Sequence, residues 1–295
     1  PSLAGLDRSQ SDVLEPPWPD LVLTAGRRNE PVARWIRRAS GDRARIVHLG
    51  RPWADPRSYD LVISTPQYFL EPSDPGPILV LDLPPVTAPK RDRKPEEDDG
   101  DLVLLLGGNS GSQVLTPDAA VATVDRALTL SRSLRRGLRI TTSPRTPMAA
   151  EIRVIERLRN TGVRLHAWRR DTNRANPYSA WLAEGSGFVV TADSVSMIAE
   201  AVATGRPVWI ASLPRSDRPW WRTRRGWHWK PLTHELAQRL APRRFRRNRE
   251  RLLQTLVETG RAAWLESGSG ARFSDRGSAA DDTTRAAEAL LELLR

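Results

Sequence analysis

Three short segments carry residue types at spacings that suit a phosphate-bearing ligand. The first is Gly107-Gly108-Asn109-Ser110-Gly111, directly after the apolar run Leu102–Leu106. Glycines let a backbone approach a ligand closely, and successive amides can cradle phosphate. No Lys-Ser/Thr pair follows, so the segment is neither a P-loop nor the dinucleotide fingerprint. A strand-to-helix turn that needs glycine for its geometry explains it equally well. The second is Thr141-Thr142-Ser143-Pro144-Arg145-Thr146-Pro147. Its hydroxyls, Ser143 among them, and its prolines suit a helix start. Arg145 does not, because a cation at a helix N-terminus opposes the dipole; an anionic ligand would relieve that conflict. The third runs from Phe188 to Val208 and contains Asp193, Ser194, Ser196 and Glu200. An apolar strand there enters a small polar turn and then a helix, whose first amides suit a diphosphate. Glu200 lies four residues after Ser196 and shares its helix face, so its carboxylate can accept from ribose hydroxyls. Capping by Asp193 or Ser194, with Glu200 on a solvated face, is the competing explanation.

Other reactive types are sparse. The chain has no cysteine, which removes thiolate catalysis and thiolate-bound zinc. His48, His166, His228 and His234 show no ligand spacing, so neither a metal nor a cofactor is expected. On the acceptor side, Gly26-Arg27-Arg28 closes the first strand, and Arg27 and Arg28 are candidates for an anionic acceptor. His48 is the candidate general base, although a lone histidine near a strand end is more often structural.

These segments need elements to position them, and the chain alternates strand and helix. Buried strands are expected at Leu21–Thr24, Arg45–Leu49, Leu61–Ser64 and Ile78–Leu81, with a helix at Pro31–Ala39. Residues 1–86 thus read as an acceptor-side Rossmann-like domain. Pro84–Gly100 is rich in proline and charge, and 87–100 reads as a linker. Further strands are expected at Leu102–Leu106, Leu138–Thr142, Val163–Trp168, Phe188–Thr191 and Val208–Ala211. Helices at Pro117–Leu134, Met148–Arg159, Pro177–Ala183 and Val195–Thr204 would connect them. That makes 101–275 a second Rossmann-like domain with a five-stranded parallel sheet. A helix near Arg243–Gly260, a Gly/Ser break at Ser267–Gly270 and a final helix within 276–295 complete the α/β reading.

The stretch from Asn176-Pro-Tyr178 to Val208, above all VTADSVSMIAEAVATGRPV, resembles the family named for a plant mitochondrial-fission (elongated-mitochondria) protein. Ala25–Arg28, Gly107–Gly111 and Thr141–Pro147 agree with it in order. Bacterial members are usually called mitochondrial-fission-protein-like or nucleoside-diphosphate-sugar epimerases. The family in turn looks like the GT-B glycosyltransferase superfamily, whose donor nucleotide-sugar sits on the C-terminal domain without a metal. On that resemblance Gly108, Asn109, Ser110, Gly111, Ser194, Ser196 and Glu200 hold the donor, and Ser143, Arg145, Asn176, Tyr178 and Asp193 stand beside them as further donor-binding candidates. Family members open with a strand and glycine loop that Pro1–Asp20 lacks, so the first domain is expected to be incomplete.

Net charge is +11, carried almost entirely by arginine. Four tryptophans interleave with cations in Trp220–Lys230, and Arg243–Arg251 is strongly basic. Aromatic and basic residues together suit an anionic membrane surface, more than nucleic acid, for which no base-reading motif is present. No apolar run is long enough to span a bilayer and no export leader opens the chain. The expected location is cytoplasmic, peripheral on the inner face of the cytoplasmic membrane. The expected function is metal-independent transfer of a sugar from a nucleotide-diphospho-sugar to an envelope or lipid-linked acceptor. The alternatives are a nucleoside-diphosphate-sugar epimerase and a non-catalytic membrane-associated adaptor.

Overall fold

A computed structural model describes residues 3, 6–87, 100–110, 113–215, 246–274 and 279–295. The chain divides into two compact units. One comprises Pro1–Pro84, Leu232–Leu252 and Asp282–Arg295, the other Pro85–Pro231 and Leu253–Asp281.

The first unit is built on a parallel sheet in the order β1-β2-β3-β4, from Leu21–Ala25, Arg45–Leu49, Leu61–Ser64 and Ile78–Val80. Alternation assigns its two faces. Val22, Ile46, Val62 and Ile78 pack on one side with Ala33 of helix α1 (Glu30–Ala39). Leu21, Val47, Leu61, Ile63 and Leu79 face the other side, where Ala286, Ala289, Leu290 and Leu293 cover them. Those four residues belong to the final helix, Ala279–Leu293, so the end of the chain supplies the second layer of the first sheet. Parallel strands need both faces covered, and the short first half alone provides only α1.

The second unit holds a six-stranded parallel sheet in the order β10-β9-β8-β5-β6-β7. Its strands are β5 (Leu102–Leu105), β6 (Leu138–Thr141), β7 (Arg164–His166), β8 (Gly187–Thr191), β9 (Val208–Ala211) and β10 (Ala263–Trp264). Every residue of β5, β8 and β9 is buried, whereas β7 at one edge begins exposed. Helices α2 (Pro117–Ser133) and α3 (Met148–Leu158) bury Ala120, Val124, Ala127, Ala150 and Val154 against Leu102, Leu104, Leu138 and Ile140. Each fully buried aliphatic side chain of this kind contributes about 1.5–3 kcal/mol. Helices α4 (Tyr178–Glu184) and α5 (Val195–Val202) flank β8 in sequence.

The sheet therefore has six strands rather than the expected five. The sixth, β10, is a two-residue strand registered as Ala263↔Trp209 and Trp264↔Ile210. Two residues generate no apolar run, so pattern alone could not announce it. Beyond it, the Gly/Ser break forms a turn, and Trp209 Nε1 donates to the Gly268 carbonyl at 2.9 Å.

Candidate functional site

From β5 the chain passes outward through β6 to β7, then returns to β8 on the opposite side of β5. A parallel sheet whose winding reverses leaves a crevice outside the strand carboxyl ends at the reversal, the usual ligand position in such sheets, and the reversal here falls between β5 and β8. The glycine loop leaves β5 and the Asp193-Ser194 turn leaves β8, so two of the three segments flank this point. The third leaves β6, next to β5.

Asp193 ties the three together. Its Oδ2 accepts the Gly108 amide at 2.9 Å and lies 3.2 Å from the Arg145 guanidinium. Its Oδ1 accepts the Thr191 hydroxyl at 2.7 Å, and that hydroxyl accepts the Gly107 amide at 2.8 Å. Ser143 Oγ and Thr146 Oγ1 donate to the Gly107 carbonyl at 3.0 and 2.5 Å. No side chain fits between these loops. A Cβ on Gly107 would stand 2.4 Å from the Asp193 carboxylate, and one on Gly108 would stand 2.0 Å from the Arg145 carbonyl oxygen. Both glycines are thus required by close approach. Burial pushes the Asp193 carboxyl above the ordinary aspartate range, while the Gly108 amide, the Thr191 hydroxyl and Arg145 pull it down. Arg145 stays 46% exposed beside this fully covered carboxylate, so its guanidinium reaches solvent at the loop mouth.

Helix α5 starts from Ser194, whose side chain does not cap it. The first-turn amides of a helix have no intrahelical partner, so an anion can take them. Ser196 is exposed on that first turn, and Ser194 is buried. One turn deeper, Tyr178 Oη donates to Glu200 Oε2. Burial first, and then this bond to Glu200, raises the Tyr178 pKa, which keeps the phenol protonated as donor. Glu200 is partly buried, and the Tyr178 bond holds one oxygen of the carboxylate offered in the sequence to ribose hydroxyls. Asn176 Oδ1 accepts the Tyr178 amide at 3.0 Å and starts α4. Asn109 Oδ1 accepts the Leu115 amide at 2.9 Å and closes the glycine loop, and Ser110 pairs with Gln113. Gly111 lies outside the described residues.

The acceptor-side candidates lie in the first unit. Arg27 stacks on Trp53, its guanidinium carbon 5.1 Å from the ring centroid, and Arg28 is exposed. His48 is fully buried against Tyr59 and both its ring nitrogens lack hydrogen-bond partners. Burial lowers its pKa, with nearby Glu30 acting in the opposite direction. A base closed off in this way does not meet a substrate proton, so the candidate base of the sequence reading has no access here.

Several residues of the loop cluster gave no sequence signal. Thr191 is an ordinary strand residue by pattern, and Thr146 looks like a cap. Glu151, in the first turn of α3, is buried, accepting from Thr142 Oγ1 at 2.5 Å and the Arg169 amide at 3.1 Å. It fixes the turn that carries Ser143 and Arg145. A shallow depression bordered by Ile155, Leu158, Arg159, Val163, Leu165 and Arg170 lies toward the start of β7, away from these loops.

The chain belongs to the mitochondrial fission ELM1 family, whose model matches residues 2–294. The mitochondrial fission protein ELM1 of Arabidopsis thaliana is 45% identical over 73 residues, which are 25% of this chain and 16% of that protein. Among solved structures, an O-GlcNAc transferase mutant from Thermobaculum terrenum matches at 15% identity and a TM-score of 0.33, covering 93% of this chain and 49% of that one. A Phytolacca americana UGT2 complexed with UDP-2fluoro-glucose and pterostilbene matches at 9% identity and a TM-score of 0.39, covering 92% and 70%.

Proposed function

We propose that this chain is a metal-independent glycosyltransferase of the GT-B kind, moving a sugar from a nucleotide-diphospho-sugar to an envelope or lipid-linked acceptor. The observation that carries the reading is the junction of Gly107, Gly108, Arg145 and Asp193 at the sheet reversal, beside the uncapped start of α5. The diphosphate would lie on the α5 amides and Ser196, with Arg145 balancing its charge. Charge developing on the departing nucleotide is then stabilised by groups already in place. Glu200, oriented by Tyr178 through one oxygen, would accept from ribose through the other. Peripheral contact with an anionic membrane on the cytoplasmic side belongs to the same proposal. Its main segment, Trp220–Lys230, lies outside the described residues. In the basic run, Arg247 and Arg251 stack on Tyr68 and Phe69, at 5.5 and 4.6 Å, which commits part of that run to the protein's own surface.

The test is product analysis with radiolabelled nucleotide-sugars and membrane extract. Label moving into extractable lipid or glycan supports transfer. Label returning as an epimeric nucleotide-sugar supports epimerisation, and no binding of any nucleotide-sugar leaves the adaptor reading.

A further inference from the structure

Strand β7 is one edge of the six-stranded sheet, and α3 is the helix that leads into it. The buried face of α3 carries Ala150, Val154 and Leu158. Met148, Ile152 and Ile155 stand at i, i+4 and i+7 and line another face. Met148 is 62% exposed and Ile152 49%. Among the described residues of the second unit one other large apolar side chain is exposed, Trp168, just past β7. Ile155 also borders the shallow depression at the start of β7, together with Leu158, Val163 and Leu165. Its volume of about 270 Å³ falls short of the roughly 300–1,000 Å³ of a small-molecule pocket. A depression of that size suits one anchoring side chain at the end of the apolar strip.

Backbone and charge together select what covers this strip. An open sheet edge invites an added strand, but β7 resists one. The His166 carbonyl accepts the Thr142 amide on the β6 side, so the backbone groups of Leu165 and Ala167 point the other way. There the Leu165 carbonyl accepts from Arg170 at 3.0 Å, and the Ala167 amide donates to Asp171 Oδ2 at 2.8 Å. Side chains of this same chain thus occupy the edge. The strip on α3, by contrast, repeats at the spacing by which a second helix packs. The depression is rimmed by Arg159 and Arg170 and by no carboxylate. Arg159 is exposed and its side chain makes no hydrogen bond or ion pair among the described residues. Arg170 is held by Asp171 through Nε and Nη2, at 2.9 and 2.7 Å, which leaves Nη1 to donate. A second copy of this chain would bring the same arginines against these, whereas carboxylates match them.

We propose that α3 and the rim of β7 dock an acidic amphipathic helix of a partner protein. One apolar residue of that helix fills the depression, the next ones cover Ile152 and Met148, and its carboxylates meet Arg159 and Arg170. The depression lies away from the glycine loop and Asp193, so this surface stands whether or not the chain transfers sugar.

The experiment is fluorescence-anisotropy titration of the full chain with a labelled synthetic helix of about 20 residues, long enough to hold helical structure in water. It carries leucine at i, i+4 and i+7, with alanine and glutamate elsewhere; a second peptide has lysine for every glutamate. The glutamate peptide should bind at least about tenfold tighter than the lysine one. Ile152→Glu and Arg159→Glu should each weaken it about tenfold, and Arg159→Glu should improve binding of the lysine peptide. Both positions are exposed, so the melting temperature should stay at the parent value. Arg38→Glu, at an exposed position on α1, should change nothing. No binding, equal binding of the two peptides, or an equal loss in Arg38→Glu would overturn the surface, the last by reducing it to net charge. So would undiminished binding of a glutamate peptide broken by a central proline. Ile152→Glu abolishing either phosphatidylglycerol-vesicle binding or a dimer seen in sedimentation would also overturn it, in favour of a membrane or a second copy.

Discussion

Asp193 is a buried carboxylate with the exposed Arg145 as its cation, and that asymmetry separates binding from stability. Removing Arg145 takes a half-exposed cation from a buried carboxylate that keeps the Gly108 amide and the Thr191 hydroxyl as donors, so the fold should lose about 1 kcal/mol. A nucleotide diphosphate would lose a charged hydrogen bond, about 1.5–3 kcal/mol. Arg145→Ala should therefore lower affinity in calorimetry far more than it lowers the melting temperature; the reverse order would assign Arg145 to structure. Asp193→Asn tests the carboxylate by pH. Its folded pKa is raised, so the native state holds its proton more tightly than the unfolded chain. That contribution is complete below about pH 4, the unfolded value, and disappears as pH rises through the folded value. Denaturant melts should show the parent losing stability relative to Asp193→Asn across that window, and parallel curves would contradict the assignment. Gly108→Ala forces a Cβ onto the Arg145 carbonyl and should destabilise the fold by about 1–3 kcal/mol, as overpacking does. These residues were visible in the sequence as types, but not as partners. Gly108 and Asp193 are 85 residues apart, and nothing local says that one amide meets that carboxylate.

Strands and helices were legible almost throughout, because each buried strand is a short apolar run between turn residues. Leu102–Leu105 and Val208–Ala211 are examples. Two-residue β10 was not legible, since its pairing depends on the Trp209 side of β9 and not on its own pattern. Capping was half legible. Thr116 caps α2, its Oγ1 accepting the Ala119 amide at 3.1 Å, as a Thr-Pro start implies. Thr116→Ala should cost about 1 kcal/mol in denaturant melts, and an unchanged midpoint would mean the cap is redundant. Ser194 has the type of a cap but does not act as one. The difference cannot be read from residue type, because it depends on the turn angle that Thr191 and Asp193 impose.

The chain as a whole closes its first sheet with its last helix, a link between residues some 200 positions apart that no periodicity reveals, as when Asp82 donates its amide to Asp282 Oδ1. Ala286→Asp places an unpaired charge in that buried layer and should destabilise the first unit by several kcal/mol. A near-silent substitution would show the helix to be dispensable. Net charge of +11 was legible at once, but its use was not. Arginines such as Arg139, which bonds Asp101 at 2.6 Å, are spent on internal pairs, and only position separates them from ligand-facing ones. The proposed site places a ribonucleotide diphosphate between β5 and β8 with its ribose on Glu200. The most direct measurement titrates parent and Glu200→Gln chains with UDP-sugar and with its 2′-deoxy form. Coupling of about 1 kcal/mol is expected, with the substitution weakening the ribose form more than the deoxy form. Binding with zero coupling, or no binding of either donor to the parent, would contradict it.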